Sequence, residues 1–213
     1  MSDAMRGIEV YNKHGHTWLE SKASDLHTQD LLVIISELVS AKDKNTRILD
    51  LCCGYGRLTL PLLEKGWNVS GVDLSPVLIQ EAEKRRVEKK IGDLSTFKIG
   101  DMKSIPYPDG EFDFCFCVWA SLNFLTSLED QLKTFNELFR LLKPNGTVFI
   151  ELPFHNDENP VPQEIEADGN SYLYFPFTIT YLSNLLKGLP FKDFTVVERE
   201  IAGRRRITVN LQK

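Results

Sequence analysis

From residue 46 to residue 152, short apolar runs alternate with longer amphipathic or charged segments, and that alternation limits what the chain can fold into. Thr46–Leu51 (TRILDL), Asn68–Asp73, Thr96–Gly100, Phe112–Val118 (FDFCFCV) and Thr147–Leu152 read as buried strands. Leu31, Ile34, Ile35 and Leu38 recur at helical spacing ahead of them. Arg57–Lys65 reads as a short helix stopped by Gly66, and Ser75-Pro76 caps a charged helix reaching about Lys90. Ser127-Leu-Glu-Asp130 has the form of a capping box, with Leu132, Phe135, Leu138, Phe139 and Leu142 as one apolar stripe behind it. Lys143-Pro-Asn-Gly146 then stops that helix. Leu182, Leu185, Leu186 and Leu189 mark a last helix, and Phe194–Ile201 with Arg206–Leu211 flank Ala202-Gly203-Arg204 as a hairpin would. The expected fold is α/β and doubly wound. It has a mainly parallel seven-stranded sheet, a C-terminal antiparallel hairpin and helices on both faces. Residues 153–175, with three prolines and several acids, are the one long irregular stretch.

A length of 213 residues suits one full-sized core. Residues 1–25 are polar and mixed, carry Tyr11, His14, His16 and Trp18, and stand apart from a single domain over 26–213. The net charge of −5 disfavours a nucleic-acid partner, which needs a basic face. Apolar runs such as LLVII at 31–35 are too short to cross a bilayer. MSDAMRGIEV lacks a basic-then-apolar signal pattern, and four cysteines in two close pairs make no disulfide framework, so a reducing cytoplasm is expected. Cys52-Cys53 and Cys115/Cys117 lie in or beside strands without the C-x₂₋₄-C spacing of zinc sites. They read as buried thiols, and no metal is expected. Arg204-Arg205-Arg206 is expected to solvate an exposed edge strand.

The chemistry concentrates in the first strand-to-helix turn, Asp50-Leu-Cys-Cys-Gly54-Tyr-Gly56-Arg57. In doubly wound sheets ligands sit outside the carboxyl ends of the strands, where the strand order reverses. The two glycines allow a tight turn and close approach of backbone to a ligand. Asp73, at the end of the second strand and about twenty residues beyond Gly54, suits the two hydroxyls of a ribose. A nicotinamide or flavin dinucleotide would use that acid too. But Thr59 stands where its third glycine should be, and the Asp50 carboxylate would repel a pyrophosphate. Asp50 suits an ammonium instead, and a nucleoside that carries an amino acid is S-adenosylmethionine. The bland alternatives are that Asp50 caps the following helix and that Asp73 is a turn residue.

From about Asp30 to the C-terminus the sequence resembles the class I S-adenosylmethionine-dependent methyltransferases. Asp50, Gly54 and Gly56 match their acid-x-Gly-x-Gly-x-Gly motif, with Cys52 in place of the first glycine. Phe112-Asp113 and LLKPNGTVFIE match later landmarks. The resemblance implies a cofactor site of Asp50, Cys52, Gly54, Gly56, Asp73, Leu74, Asp101, Met102 and Cys117, with Asp101 facing the adenine amino group. It also implies that the N-terminal segment folds over the cofactor as a lid and brings in Tyr11. CVWASLNFL resembles the corresponding segment of small-molecule N- and O-methyltransferases, which places Trp119, Asn123 and Glu151 at the acceptor pocket. No Asn/Asp-Pro-Pro-Tyr run of base-modifying DNA enzymes follows the fourth strand. The expected partner is therefore a small-molecule acceptor, with the protein a monomer or homodimer. His155, after the fifth strand, is the candidate general base or else a solvated residue of the irregular 153–175 stretch, with Glu151 as a second candidate or a strand anchor. A nucleotide-linked oxidoreductase and a non-catalytic cofactor-binding module are the alternatives.

Overall fold

A computed structural model describes residues 3–40, 42–91, 97–167 and 169–213. In chain order its elements begin with α1 (Asp3–Lys22), α2 (Asp25–Ser40), β1 (Arg47–Leu51), α3 (Thr59–Glu64), β2 (Asn68–Asp73), α4 (Pro76–Glu88) and β3 (Phe97–Ile99). After them come β4 (Phe112–Cys117), a 3₁₀ turn (Ser121–Phe124), α5 (Leu128–Leu141) and β5 (Leu142–Pro153). The chain ends with β6 (Gln163–Ala167), β7 (Asn170–Tyr174), α6 (Ile179–Leu186), β8 (Asp193–Ile201) and β9 (Arg204–Gln212). Thr96, expected to open the third strand, lies outside the described residues.

Seven strands pair in the order β3-β2-β1-β4-β5-β9-β8, and β6 pairs only with β7. β3, β2, β1, β4 and β5 are parallel, and β9 runs antiparallel to both of its neighbours. The order reverses between β1 and β4, which opens a crevice at their carboxyl ends. Strand alternation divides the core into two layers. Phe114 and Phe116 of β4 face α2, α3 and α4, whereas Cys115 and Cys117 face α5 and α6.

Local chemistry accounts for several element ends. Ser75 Oγ accepts the Leu78 N–H at 3.2 Å with Pro76 at the first helical position, and Ser127 Oγ accepts the Asp130 N–H at 3.2 Å. Ala202 and Gly203, with φ of 52° and 69°, form a two-residue turn whose twist matches the β8–β9 hairpin.

Five expectations need correction. The N-terminal segment is a helix, kinked at Gly15 (φ 64°, ψ −162°). The stretch 153–175 contains the β6–β7 hairpin, for which Asp168-Gly169 is the turn signal in the sequence. β5 begins at Leu142. Its pairing with β4 jumps from Phe112↔Leu142 to Phe114↔Thr147, so Lys143–Gly146 form a bulge rather than a free turn. α2 buries His27, Leu31, Ile35 and Val39, which leaves Leu38 exposed. Finally, β8 is the edge strand, and Arg206 on β9 is buried in an ion pair with Glu151.

Candidate active site

A cleft opens at the carboxyl ends of β1, β2 and β4. Its floor is the β1–α3 turn, where Cys52, Gly54 and Gly56 have φ of 63°, 55° and 81°. The Cys52 and Cys53 N–H groups both donate to the Val72 carbonyl, at 2.7 and 3.0 Å, and so lock the turn onto β2. Cys52 thus adopts the left-handed backbone that explains why related motifs have glycine there; a side chain makes that conformation costlier by about 1–2 kcal/mol. A hydrogen bond with the Cys117 thiol, then burial, holds the Cys52 thiol protonated.

Two carboxylates line this cleft. Asp73 Oδ2 accepts the Gly54 N–H and Oδ1 the Ser75 N–H, each at 2.9 Å, tying the turns after β1 and β2 together. Burial raises its pKa against the pull of those backbone donors. Asp50 is buried and accepts the Thr59 hydroxyl at 2.6 Å. Burial pushes its pKa up to about 7, although Thr59 and the nearby Arg57 oppose the rise. Among the described residues no cation lies within ion-pair distance of Asp50. A buried carboxylate supplied with one hydroxyl donor fits an ammonium that a ligand brings with it.

Helix α1 forms one wall through Ile8, Tyr11 and Leu19. It is seated on α4 by Ser75 Oγ donating to Asn12 Oδ1 at 2.6 Å and by an Arg85–Glu20 ion pair at 2.8 Å. The Tyr11 ring meets Phe124 edge-on at 5.9 Å, and Phe124 meets Tyr172 of β7 at 5.5 Å. Burial pushes the Tyr11 phenol pKa up, and Tyr172 and Asp73 add to the rise. The facing wall is Val118 and Trp119, and the Arg57 guanidinium lies 4.4 Å above the Trp119 ring.

The structure brings Tyr11, Asp50, Cys52, Gly54, Asp73, Leu74, Met102 and Trp119 together around the cleft. It places the other candidates outside its lining. Gly56 closes the turn, its N–H donating to the Cys53 carbonyl at 3.0 Å. Asp101 accepts the Lys103 N–H at 2.9 Å in a local turn. Cys117 is fully buried in the layer under α5 and α6. Asn123 donates from Nδ2 to the Phe175 carbonyl at 2.7 Å and accepts the Phe175 N–H, also at 2.7 Å, so it anchors the segment after β7. Glu151 is fully buried, with its carboxylate oxygens directed to His27, Arg206 and the Trp119 N–H. His155 Nε2 sits 2.9 Å from the Tyr174 hydroxyl, and burial, then Arg206, lowers its pKa.

Sequence reasoning missed Arg57, Leu78, Ser121 and Phe124, which also line the cleft. Arg57 had a signal, since it directly follows the second glycine of the turn. Among the described residues no group of three or more His, Cys, Asp or Glu side chains is arranged to hold a metal, and no helix is long and apolar enough to cross a membrane.

Compared with known families, residues 48–146 match the methyltransferase domain. The demethylmenaquinone methyltransferase of Thermus thermophilus is 34% identical over 150 residues, covering 67% of this chain and 60% of that protein. The enzyme of the same name from Symbiobacterium thermophilum is 34% identical over 102 residues, 46% of this chain and 39% of the relative. Ajmaline N-methyltransferase of Rauvolfia serpentina is 26% identical over 154 residues, 71% and 52%. The chain thus spans less than two thirds of the length of these curated relatives. Among solved structures, a S-adenosylmethionine-dependent methyltransferase of Methanosarcina mazei superposes with a TM-score of 0.69 at 22% identity, covering 83% of this chain and 96% of that one. Magnesium protoporphyrin IX methyltransferase of Synechocystis, solved with S-adenosylmethionine bound, gives 0.74 at 15% identity, covering 100% and 98%. Residues 48–146 match a methyltransferase domain, and the chain shares the Rossmann-like fold of these solved methyltransferases.

Proposed function

We propose that this chain transfers a methyl group from S-adenosylmethionine to a nitrogen or oxygen atom of a small molecule. The observation that carries the reading is the pair of carboxylates in one cleft, half-buried Asp73 tied to both turns and buried Asp50 with no cation within ion-pair distance among the described residues. S-adenosylmethionine, when bound, supplies an activated methyl group on a sulfonium centre. Asp73 would hold the ribose hydroxyls, Asp50 the ammonium, and Met102 would border the adenine. Tyr11 and the rest of α1 close over the cleft as a lid and exclude water. The relatives named above act, by their names, on demethylmenaquinone and ajmaline, which supports a small-molecule acceptor.

No histidine is among the described residues that line the cleft. Proximity and alignment, worth about 7–11 kcal/mol, are then the main catalytic device, and they suffice for a neutral amine. The test is calorimetry with S-adenosylhomocysteine and NADH, followed by a metabolite extract incubated with methyl-labelled cofactor. Labelled product is the expected result. Binding of NADH alone would replace this reading with an oxidoreductase, and cofactor binding without transfer to any extract would leave a binding module.

A further inference from the structure

Trp119 and Ala120 are consecutive residues with φ of 66° and 67°, a conformation that L side chains avoid. Glu151, fully buried on β5, restrains this turn by accepting the Trp119 N–H on Oε2 at 2.8 Å. Its other oxygen faces His27 Nε2 of α2 at 3.1 Å and Arg206 Nε of β9. Burial alone would raise the Glu151 pKa, but His27 and Arg206 outweigh it, so the group stays ionised. An Arg206–Glu151 pair would suffice to anchor two strands; the bond to Trp119 reaches toward the cleft. Helix α2 also acts on the far side of the indole. Thr28, next to His27, accepts Arg57 Nη1 at 2.6 Å, and Arg57 lies over the Trp119 ring.

We propose that Glu151, supported by His27 and Arg206, is a positioning residue that fixes the Trp119-Ala120 turn, so that Trp119 and Arg57 form a rigid wall of the ligand cleft. The assignment rests on the methyl-transfer reading for what the wall serves, namely the alignment of donor and acceptor. Only a carboxylate meets the demand. Glutamine has one acceptor oxygen, so in either orientation its NH₂ group faces either the Trp119 N–H or Arg206 Nε.

The test uses the full chain with Trp18→Phe and Trp67→Phe, which leaves Trp119 as its one indole. Glu151→Gln should make Trp119 more accessible to acrylamide quenching and weaken S-adenosylhomocysteine about tenfold. A variant with lowered Tm but unchanged quenching and affinity would reduce Glu151 to a strand anchor and overturn the proposal. Should Glu151→Gln fail to fold, His27 decides. His27→Leu should raise quenching, and His27→Gln, which keeps a donor to the carboxylate, should restore it; equal quenching in both overturns the proposal. Quenching is read on the ligand-free protein. Failure of the parent to bind S-adenosylhomocysteine would therefore sink the methyl-transfer reading while leaving the role of Glu151 decided on its own evidence.

Discussion

Replacing Asp50 by Asn removes a buried carboxyl group whose pKa burial pushes up to about 7. In the ligand-free protein that group favours the fold when protonated. Its stabilisation is complete below the ordinary carboxylate pKa of about 4 and is lost as the pH rises through about 7. A ligand ammonium reverses the preference by stabilising the ionised form. Bringing the pKa from about 7 back to the ordinary range corresponds to about 4 kcal/mol between the two protonation states. Below pH 7, affinity for S-adenosylhomocysteine should therefore fall about tenfold per pH unit, and binding at pH 6 should release about 0.9 proton. Calorimetry from pH 5 to 8, in buffers of different ionisation enthalpy, reads both quantities. Asp50→Asn should flatten the profile and cost about 1.5–3 kcal/mol of S-adenosylhomocysteine affinity at pH 8. 5′-Methylthioadenosine, which lacks the amino-acid end, should show neither effect. A slope shared by both ligands would assign the proton to Asp73, whose pKa burial also raises, and a slope surviving in Asp50→Asn would refute the ammonium argument.

Asp73→Ala should weaken S-adenosylhomocysteine and 5′-methylthioadenosine alike, by about 1.5–3 kcal/mol for each ribose hydrogen bond, and lower Tm because the Gly54 and Ser75 N–H groups lose their acceptor. Unchanged affinity for both ligands in a folded variant would remove Asp73 from the site. Deleting residues 1–20 should leave a folded protein with weaker cofactor binding, measured by calorimetry and circular dichroism, since Ile8, Tyr11 and Leu19 are lost from the cleft wall. Equal affinity and turnover would end the lid assignment. His155→Ala should leave S-adenosylhomocysteine affinity alone, because His155 is outside the cleft lining and bonded to Tyr174. If His155 is the general base, turnover should fall about 10²–10⁴-fold and the acidic limb of the pH–rate profile should vanish. Near-normal turnover leaves proximity as the device.

The sequence by itself determined the strand–helix alternation, the capped starts of α4 and α5, and the acids at the ends of β1 and β2. Each of those signals is local. A strand period, a serine cap or a glycine with positive φ is set by residues within a turn or two, and chain topology then carries Asp50 and Asp73 to one end of the sheet. Tertiary structure decided what no local pattern encodes. His27 drew no reading from the sequence and Arg206 read as part of a solvated basic run, yet both are buried against Glu151, 124 and 55 positions away in the chain. In sequence a buried charge looks like an exposed one, because its pairing depends on which elements pack together. For the same reason Glu151 and His155, both near the end of β5, could not be told apart as base or anchor. The conformation of 1–25 and 153–175 was equally out of reach. α1 and the β6–β7 hairpin lie outside the main sheet, and their Tyr11 and Tyr172 rings each pack on Phe124 of the 3₁₀ turn, contacts that exist only once the chain has folded.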